Sequence, residues 1–351
     1  MVSFPNPKAR HPFHMHTMIH GQPAFVAETV ERIGRRDALA FFGRPRRLIV
    51  TGCGTSFHAA MYGARILQAA FGATAIVEAT QAYDLAYGPS LPQKATILGV
   101  SHSGSTPTTN RALSRAKKAG LRTLGLCGLP DSAMERFADE VLVIGSTHDH
   151  SWANTMSYTT QLVAFAGLAA QIAETWPEVA AKIRSLPRVL QIALRTEPAV
   201  RRLARRVAHK DRVTFLGSGW DEITALEAAL KIRETCSLPA SGYHMEQLLH
   251  GPFLSIDSRE SVVLLRSRTD RDRADRIQRA LARSGGDVTT IGEHPRSAIR
   301  LPPIHAYLRP ILSIVPMQFL AYYAALARRA NPDIMRTDIP RLRAGVAVLF
   351  Q

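Results

Sequence analysis

Short apolar runs alternate along the chain with segments in which apolar residues recur every three or four positions. A strand buried on both faces reads as a continuous apolar run, whereas the wider spacing predicts a helix packed along one face. Alternation of this kind predicts parallel strands joined by right-handed helical crossovers. The runs are RLIVTG, TAIVEA, ATILGVS, RTLGLCG and EVLVIGS.

This pattern occurs twice. The segment RRLIVTGCGTSFHAAMYGARIL begins at Arg46, and DRVTFLGSGWDEITALEAALKI begins at Asp211, 165 residues later (211 − 46). At the same offset, ATILGVSHSGSTPTTNRALSRAKKAG falls on ESVVLLRSRTDRDRADRIQRALARSG without a gap. We interpret the chain as a duplication and predict an α/β protein with two tandem, doubly wound parallel-sheet domains of the flavodoxin-like kind.

The repeat also predicts the limits of the domains. A long apolar helical segment lies between the two copies and predicts a packed connector, because it contains no Gly/Ser-rich stretch. The predicted parts are an N-terminal helical arm at 1–45, a first domain at 46–175, a helical connector at 176–210, a second domain at 211–330 and a C-terminal tail at 331–351.

Composition indicates a packed globular protein with anionic partners. Of the 351 residues 46% are hydrophobic and 21% charged, and the formal net charge is +16. A basic protein favours nucleic acid, acidic lipid or phosphorylated metabolites. The densest basic runs, VRRLARRVAHKDR and RSRTDRDRADRIQRALAR, carry apolar residues at helical spacing. That spacing is typical of the solvated face of an amphipathic helix, so we do not expect nucleic acid as a partner.

The cysteines and the N-terminus indicate the compartment. Cys53, Cys127 and Cys236 are an odd number, and none belongs to a CxxC pair, which predicts reduced thiols. The N-terminus has no apolar leader, and no run approaches 18 uninterrupted apolar residues. We expect a cytoplasmic protein that does not cross a membrane.

A burst of hydroxyl groups, SHSGST at 101–106, follows the third apolar run of the first copy. Ligands of open α/β sheets bind at the carboxyl ends of strands, where helix N-termini present free N–H groups to anions. Gly104 would let the backbone approach a ligand closely. The loop therefore predicts a phosphate site, whose residues are Ser101, His102, Ser103 and Thr106, together with Ser56 from the turn GCGTS.

A plainer interpretation is that Ser105 or Thr106 only caps the following helix. A cap needs one such residue, whereas this loop has four hydroxyls and a glycine in six positions. The second copy carries Arg266-Ser267-Arg268-Thr269-Asp270 at the same place, without a glycine. We therefore expect one phosphate site in the chain.

Other ligand classes are disfavoured. GCGTS lacks the GxGxxG spacing of a dinucleotide fold, and the chain has no GxxxxGK[ST] loop, so we expect no cofactor. Histidines crowd the N-terminus, and His148-Asp149-His150 follows a strand, which raises the question of a metal. His16 and His20 are four apart, and we expect no carboxylate near them. We expect surface or subunit-contact residues there and no metal site.

Five motifs in order, GCGTS, SHSGST, ALEAALKIRE, LLHGP and NPD, resemble those of the tandem sugar-isomerase (SIS) domain proteins. The likeness is strongest to the isomerase half of the glutamine–fructose-6-phosphate amidotransferases and runs from MIHGQP to the tail. The resemblance implies a homodimeric enzyme that acts on a phosphorylated sugar or amino sugar and needs no metal.

The resemblance also implies site residues. Glu234 is the expected base, with Lys231 one turn before it, and His250 is expected to open the sugar ring in the site of the other subunit. A Lys–Glu pair at this spacing is equally ordinary on a helix surface, and a lone histidine at a turn is more often structural. The residues expected to contact the sugar are Cys53, Gly54, Thr55 and Asn154.

The tail departs from the family. Arg343 and Gly345 lie near the place of a lysine that forms an imine with the keto sugar, and a guanidinium is not nucleophilic. No amidotransferase domain precedes the first copy in this sequence. These features resemble the stand-alone phosphosugar deglycases and deaminases, whose substrates already carry nitrogen. The alternative is a sugar-phosphate-binding regulatory protein without catalysis, which would have no use for both Glu234 and His250.

Overall fold

Two five-stranded parallel sheets form the framework of the protein. The structure, a computed structural model, describes residues 8–173, 175–269 and 271–349, except the side chain of Arg271. The elements as far as the end of the connector are α1 His14–Gly34, α2 Ala38–Phe42, β1 Arg47–Gly52, α3 Thr55–Phe71, β2 Ile76–Gln81, α4 Ala82–Tyr87, β3 Thr96–Ser101, α5 Pro107–Lys118, β4 Arg122–Cys127, β5 Glu140–Val143, α6 Met156–Ile172, α7 Pro177–Leu194 and α8 Glu197–Val207.

The second sheet and its helices follow. They are β6 Arg212–Gly217, α9 Asp221–Cys236, β7 Ala240–His244, α10 Met245–Leu248, β8 Glu260–Arg266, α11 Arg271–Arg283, β9 Asp287–Gly292, β10 Ile299–Arg300, α12 Arg309–Ala327 and α13 Pro340–Leu349.

The two sheets have the same topology. The strand orders are β2-β1-β3-β4-β5 and, read from the matching edge, β7-β6-β8-β9-β10. All pairings are parallel within the described residues. β6 begins 165 residues after β1 (212 − 47), the offset of the sequence repeat. The predicted fold class is confirmed.

The chain divides into two compact units. The first unit holds residues 22–148 and 156–187, with β1–β5. Of the described residues, the second unit holds 8–21, 149–155 and 188–349, with β6–β10. Residues 149–155 thus belong with the second sheet, although in sequence they follow the first.

The central strands lie inside the core of each unit. All six residues of β3 and all seven of β8 are buried, because helices cover both faces of a parallel sheet. One core cluster packs Ile97 with Leu113 and Met134, and another packs Val262 with Ile277 and Leu281. These contacts fix the carboxyl ends of the strands, from which the candidate functional loops emerge.

The basic runs form amphipathic helices, as predicted. α8 buries Val200, Leu203, Ala204 and Val207, while its arginines at 201, 202, 205 and 206 are exposed. α11 likewise buries Ala274, Ile277 and Leu281.

One glycine in each unit lets a helix start close to the strand before it. A Cβ on Gly52, at the end of β1, would lie 2.9 Å from the carbonyl oxygen of Ser56, and one on Gly217, at the end of β6, would lie 2.1 Å from that of Asp221. Larger residues at these two positions would push the first helical turn away from the sheet.

One segment, Ala306–Ala327, is long and apolar enough to cross a membrane. Within the protein, 89% of its most apolar 18-residue window is buried, as in the core helix of a globular domain. The three cysteines are free of disulfides.

Candidate functional site

The hydroxyl loop lies beside the topological switch point of the first sheet. β1 pairs with β2 on one side and with β3 on the other, so that Gly52 lies opposite Gln81 and Thr51 opposite Gly99. The turn after β1 and the loop after β3 therefore leave the same edge of the sheet from neighbouring strands. This is where open α/β sheets bind ligands.

The hydroxyls of the loop bond to one another. The Oγ of Ser101 lies 2.9 Å from Oγ1 of Thr106, and the Oγ of Ser103 lies 2.8 Å from that of Ser105. Thr106 occupies the N-cap position of α5, yet its side chain makes no capping hydrogen bond. The plainer interpretation, a helix cap, therefore does not account for Thr106. The Thr106 hydroxyl therefore leaves the amide groups at the N-terminus of α5 uncapped.

Gly104 is required by the geometry of the loop. Its φ of +63° lies in the left-handed region, and a Cβ there would meet the Oγ of Ser132 at 2.5 Å and the Sγ of Cys127 at 2.9 Å. Its N–H donates to the Oγ of Ser101 at 3.1 Å, and its carbonyl oxygen accepts from the Nδ2 of Asn110 at 3.0 Å. Hydrogen bonds thus hold the loop backbone on both sides of Gly104.

His102 is buried, and its ring packs against neighbouring backbone. A Cβ on Gly128 would lie 2.0 Å from the Nδ1 of His102, and the ring of His148 meets it edge-on with centroids 6.0 Å apart. The carbonyl oxygen of His102 accepts from the N–H of Gly128 at 2.9 Å. In this arrangement His102 anchors the loop to the strand beside it.

The turn GCGTS brings the other first-unit candidates together. Gly54, with φ +53°, precedes α3, and Thr55 is buried as the first residue of that helix. The Sγ of Cys53 lies 3.6 Å from Oγ1 of Thr109, and burial raises the pKa of this thiol. The Oγ of Ser56 accepts from the Nε2 of Gln161 at 3.2 Å. Cys53 is thus a neutral thiol rather than a nucleophilic thiolate.

In the second unit, Lys231 and Glu234 lie together on α9. Lys231 is fully buried, and its Nζ lies 2.7 Å from Oε2 of Glu234 and 3.1 Å from Oε1 of Glu227. Burial opposes the charge of the ammonium, but the two carboxylates outweigh it and hold the pKa of Lys231 above its usual value. This pair is therefore internal, not the surface pair that the spacing also allowed.

Asn154 lies on a loop that α9 holds in place. Nζ of Lys231 donates to the carbonyl oxygen of Ala153, and Nε2 of Gln318 donates to that of Thr155 at 3.0 Å. Asn154 itself has φ +51°, in the left-handed region, and its Nδ2 donates to the carbonyl oxygen of Trp152 at 2.9 Å. One lysine thus connects Glu234 to the backbone next to Asn154.

His250 follows α10 at the protein surface. Its side chain is 69% exposed, and Nε2 lies 3.8 Å from Oε1 of Glu246. Glu246 receives two hydrogen bonds from Arg273, at 2.9 and 2.5 Å, and this guanidinium lowers the pKa of Glu246. In the second unit, Lys231 therefore pairs with Glu234, whereas the charged partner of His250 among the described residues is Glu246.

The tail forms an exposed helix, α13. The Nε of Arg343 donates to the carbonyl oxygen of Thr337 at 2.8 Å, and no atom lies within 4 Å of a Cβ built on Gly345. The last two residues of the tail lie outside the described residues.

The expectation that His16 and His20 have no carboxylate nearby is wrong, because Glu197 contacts both rings. Burial lowers the pKa of His16. Burial raises the pKa of Glu197, but hydrogen bonds from Tyr323 and His16 outweigh it, and the net shift is downward. The fold supplies this carboxylate from a residue 181 positions away from His16.

Several contacts at the site were not predicted from the sequence. The spacing of Glu227 and Lys231, four apart on a helix, could have indicated the second carboxylate. Asn110 and Gln161 gave no such signal, since the latter reaches Ser56 from 105 residues away.

Comparisons with known proteins bear on the family and the fold of the chain. The family model of the SIS domain matches residues 41–170. A glutamine–fructose-6-phosphate aminotransferase (isomerizing) of Pyrococcus horikoshii is 32% identical over 299 residues, covering 82% of this chain and 50% of its own length. The chain thus spans about half the length of the curated relatives it matches.

Two solved structures share the fold over most of the chain. The C-terminal domain of glucosamine-fructose-6-phosphate aminotransferase from Francisella tularensis superposes with a TM-score of 0.85 at 22% identity, covering 93% of this chain and 99% of that one. Glucosamine-6-phosphate deaminase from Thermotoga maritima superposes with a TM-score of 0.76 at 21% identity, covering 91% and 96%.

Proposed function

Because the chain is a SIS-domain protein, we propose that it is an enzyme that removes nitrogen from a phosphorylated amino sugar or sugar–amine adduct by acid–base catalysis. The relatives at about 30% identity are named for a phosphosugar reaction, and one protein of the same fold is named a glucosamine-6-phosphate deaminase. A net charge of +16 also favours an anionic substrate.

The observation that carries this proposal is the environment of Lys231. A lysine forms an imine only through its neutral amine, and the two carboxylates beside Lys231 keep it protonated. Its three polar partners also hold the ammonium inside the protein. We therefore assign Lys231 a positioning role: it orients Glu234 without touching the substrate.

Glu234 is the group that we assign to proton transfer. Its side chain is 17% exposed, so that one carboxylate is both held by Lys231 and open to a ligand. A carboxylate fixed in this way can remove a proton from one carbon and return it to the next.

The reaction then needs no enzyme-bound imine. For a 2-amino aldose phosphate, Glu234 takes the proton from C2, the electrons pass into an enaminol, and a proton returns at C1. The nitrogen is left as an imine at C2, which water hydrolyses to the ketose phosphate and ammonia. For a 1-amino ketose adduct the transfer runs from C1 to C2, and hydrolysis of the resulting C1 imine gives the aldose phosphate and the amine.

The hydroxyl loop is the proposed phosphate site. Ser56, Ser101, Ser103 and Thr106 supply hydroxyls, and the N-terminus of α5 supplies amide groups without a capping side chain. The left-handed backbone at Gly104 supports this proposal, because it turns the loop without a side chain in the way. For the sugar we propose contacts with the turn at Cys53, Gly54 and Thr55 and with Asn154.

His250 is proposed to open the sugar ring in the site of a second copy of the chain. Its exposure of 69% supports this role, because a partner can reach the imidazole. Mixing inactive Glu234→Gln protein with inactive His250→Ala protein should then restore part of the activity through mixed dimers. If confirmed subunit exchange restores none, His250 and Glu234 serve the same subunit.

The reaction is tested by incubating the pure protein with glucosamine 6-phosphate, a fructosyl-amino-acid 6-phosphate and fructose 6-phosphate, and by identifying products by NMR. We expect faster turnover of an aminated substrate than of fructose 6-phosphate, and no adduct when borohydride is added during turnover. An adduct mapped to Lys231, or fastest turnover of fructose 6-phosphate, would make the protein an ordinary isomerase. Tight binding of all three without any product would make it a regulatory protein.

A further inference from the structure

Two imidazoles and one carboxylate form a compact cluster in the second unit, from residues that the proposed reaction does not use. The Nε2 of His16 lies 2.8 Å from Oε1 of Glu197, and the Nε2 of His20 lies 3.0 Å from Oε2 of the same carboxylate. The ligand atoms of the three residues all lie within 4.8 Å of one another. Among the described residues this is the one such group of three or more His, Cys, Asp or Glu side chains.

The local structure aims both rings at one point. His16 and His20 are four apart on α1 and so lie on the same face of that helix, with ring centroids 4.4 Å apart. Glu197 is the first residue of α8. It extends one carboxylate oxygen to each imidazole.

Neighbouring aromatic residues hold these side chains. The ring of His16 packs against Tyr322 with centroids 5.2 Å apart, and His20 meets Phe319 edge-on at 5.4 Å. The hydroxyl of Tyr323 donates to Oε1 of Glu197. Groups of this kind orient metal ligands in known sites, because they restrict the rotamers that a ligand can adopt.

Access to the cluster is open on one side. The side chain of His20 is 40% exposed, whereas those of His16 and Glu197 are 19% and 20% exposed. An ion can therefore enter past His20 and still be held by less exposed ligands.

We propose that His16, His20 and Glu197 bind a divalent transition-metal ion, with Zn²⁺ as the best match. Two imidazole nitrogens and one carboxylate oxygen are a known ligand set for zinc, in which a fourth position is left to water. With bonds of about 2.0–2.1 Å, ligand atoms in a tetrahedral site lie about 3.3 Å apart. The present separations of 2.8 and 3.0 Å are slightly shorter, so small side-chain movements would admit the ion.

Binding also requires a change of tautomer at each ring. A neutral imidazole that hydrogen-bonds to the carboxylate through Nε2 carries its proton there, and metal binding needs that nitrogen's lone pair. The proton moves to Nδ1, and the ion takes its place between the ring and the carboxylate. The two hydrogen bonds are thus replaced by three metal–ligand bonds.

The test is metal titration of the full chain without a polyhistidine tag, after treatment with a chelator. Co²⁺ is added while the visible absorption of a tetrahedral cobalt site is followed, and Zn²⁺ binding is measured by calorimetry. The variants are His20→Ala, which removes an exposed side chain, and Glu197→Gln, which preserves its shape. His209→Ala removes another exposed histidine and is the matched control.

We expect one ion per chain, and at least tenfold weaker binding in both His20→Ala and Glu197→Gln but not in His209→Ala. Circular dichroism should show that His20→Ala keeps its fold. Failure of the parent chain to bind either ion would overturn the proposal. Equal affinity in the parent chain and His20→Ala would do the same, since it would assign binding to scattered surface histidines.

Discussion

The loops after β3 and β8 occupy the same place in two sheets of the same strand order, yet they have opposite chemistry. In the first unit the loop at 101–106 presents hydroxyls that bond only to one another and to the loop backbone in the contacts described above. In the second unit Arg266 is buried, and its guanidinium lies 2.6 Å from Oδ1 of Asp275. Ser267 and Thr269 bond to each other at 2.9 Å.

The turns after β1 and β6 differ in the same way. Ser56 accepts a hydrogen bond from Gln161, a neutral pair. At the matching turn Asp221 is bound by Arg309 and by the Oγ of Ser313, the latter at 2.9 Å. Burial lowers the pKa of Arg309 to about 10.

The shared topology therefore provides a place for an anion but not the site itself. In the first unit neutral donors can exchange their mutual bonds for bonds to phosphate. In the second unit the protein's own carboxylates already pair with the cations, and a phosphate would have to displace them. Breaking a buried ion pair in this way is costly.

The largest expected effect comes from removing hydroxyls of the first loop. Ser103→Ala with Thr106→Ala should remove about two hydrogen bonds to a charged group, on the order of 3–6 kcal/mol together, or about 10²–10⁴-fold in affinity. Calorimetry with glucosamine 6-phosphate measures this loss. The matched double variant Ser267→Ala with Thr269→Ala should bind as the parent does. If the second pair of substitutions weakens binding instead, the phosphate site is in the second unit.

Breaking the ion pair between Arg266 and Asp275 should reduce the stability of the protein and leave its phosphate affinity unchanged. Asp275→Asn removes the carboxylate that lies 2.6 Å from the buried guanidinium of Arg266, at a cost of about 3 kcal/mol in the free energy of unfolding. Denaturant titration of the variant beside Asp272→Asn, an exposed residue of the same helix, measures the difference. Equal stability of the two variants would mean that Arg266 does not depend on Asp275.

A side chain at Gly104 should lower the free energy of unfolding by about 2 kcal/mol, because the left-handed backbone alone costs an L residue about 1–2 kcal/mol. Gly104→Ala adds contacts at 2.5 and 2.9 Å. Gly120→Ala is the control, since its φ is +76° and a Cβ there has no atom within 4 Å. Thermal unfolding and phosphate affinity should both suffer more at Gly104. Equal losses would show that only the backbone conformation matters.

The smallest effect is expected at the turn after β1. Gln161→Leu removes the donor to Ser56 and should weaken sugar-phosphate binding by about 1 kcal/mol, roughly fivefold. Gln171→Leu, on the same helix, removes hydrogen bonds to Ala38 and Ile33 instead and should alter stability without altering affinity. Identical affinities for the two variants would show that the hydrogen bond from Gln161 to Ser56 does not support phosphate binding.

The framework and the candidate loops could be read from the sequence. The apolar runs at RLIVTG and ATILGVS predicted β1 and β3 closely, because a strand covered on both faces must be apolar throughout. The repeat at 165 residues likewise predicted a second sheet of the same kind. Hydroxyls and glycine at 101–106 marked the end of a strand, since turn chemistry is local.

Burial and long-range partners could not be read in the same way. The spacing of Lys231 and Glu234 fits a surface as well as an interior, and only the packing of α9 makes Lys231 fully buried between two carboxylates. Glu197 meets His16 from 181 residues away.

Local patterns in the sequence therefore specify which segments are strands and helices, that the pattern repeats, and where a loop rich in hydroxyls follows a strand. These properties depend on residues a few positions apart. The packing of distant elements makes Lys231 an internal cation, brings Gln161 to Ser56, and places one carboxylate against two histidines. The physical reason is that burial and ion pairing depend on which elements pack together, and hydrophobic packing is satisfied by many pairs of faces that look alike in sequence.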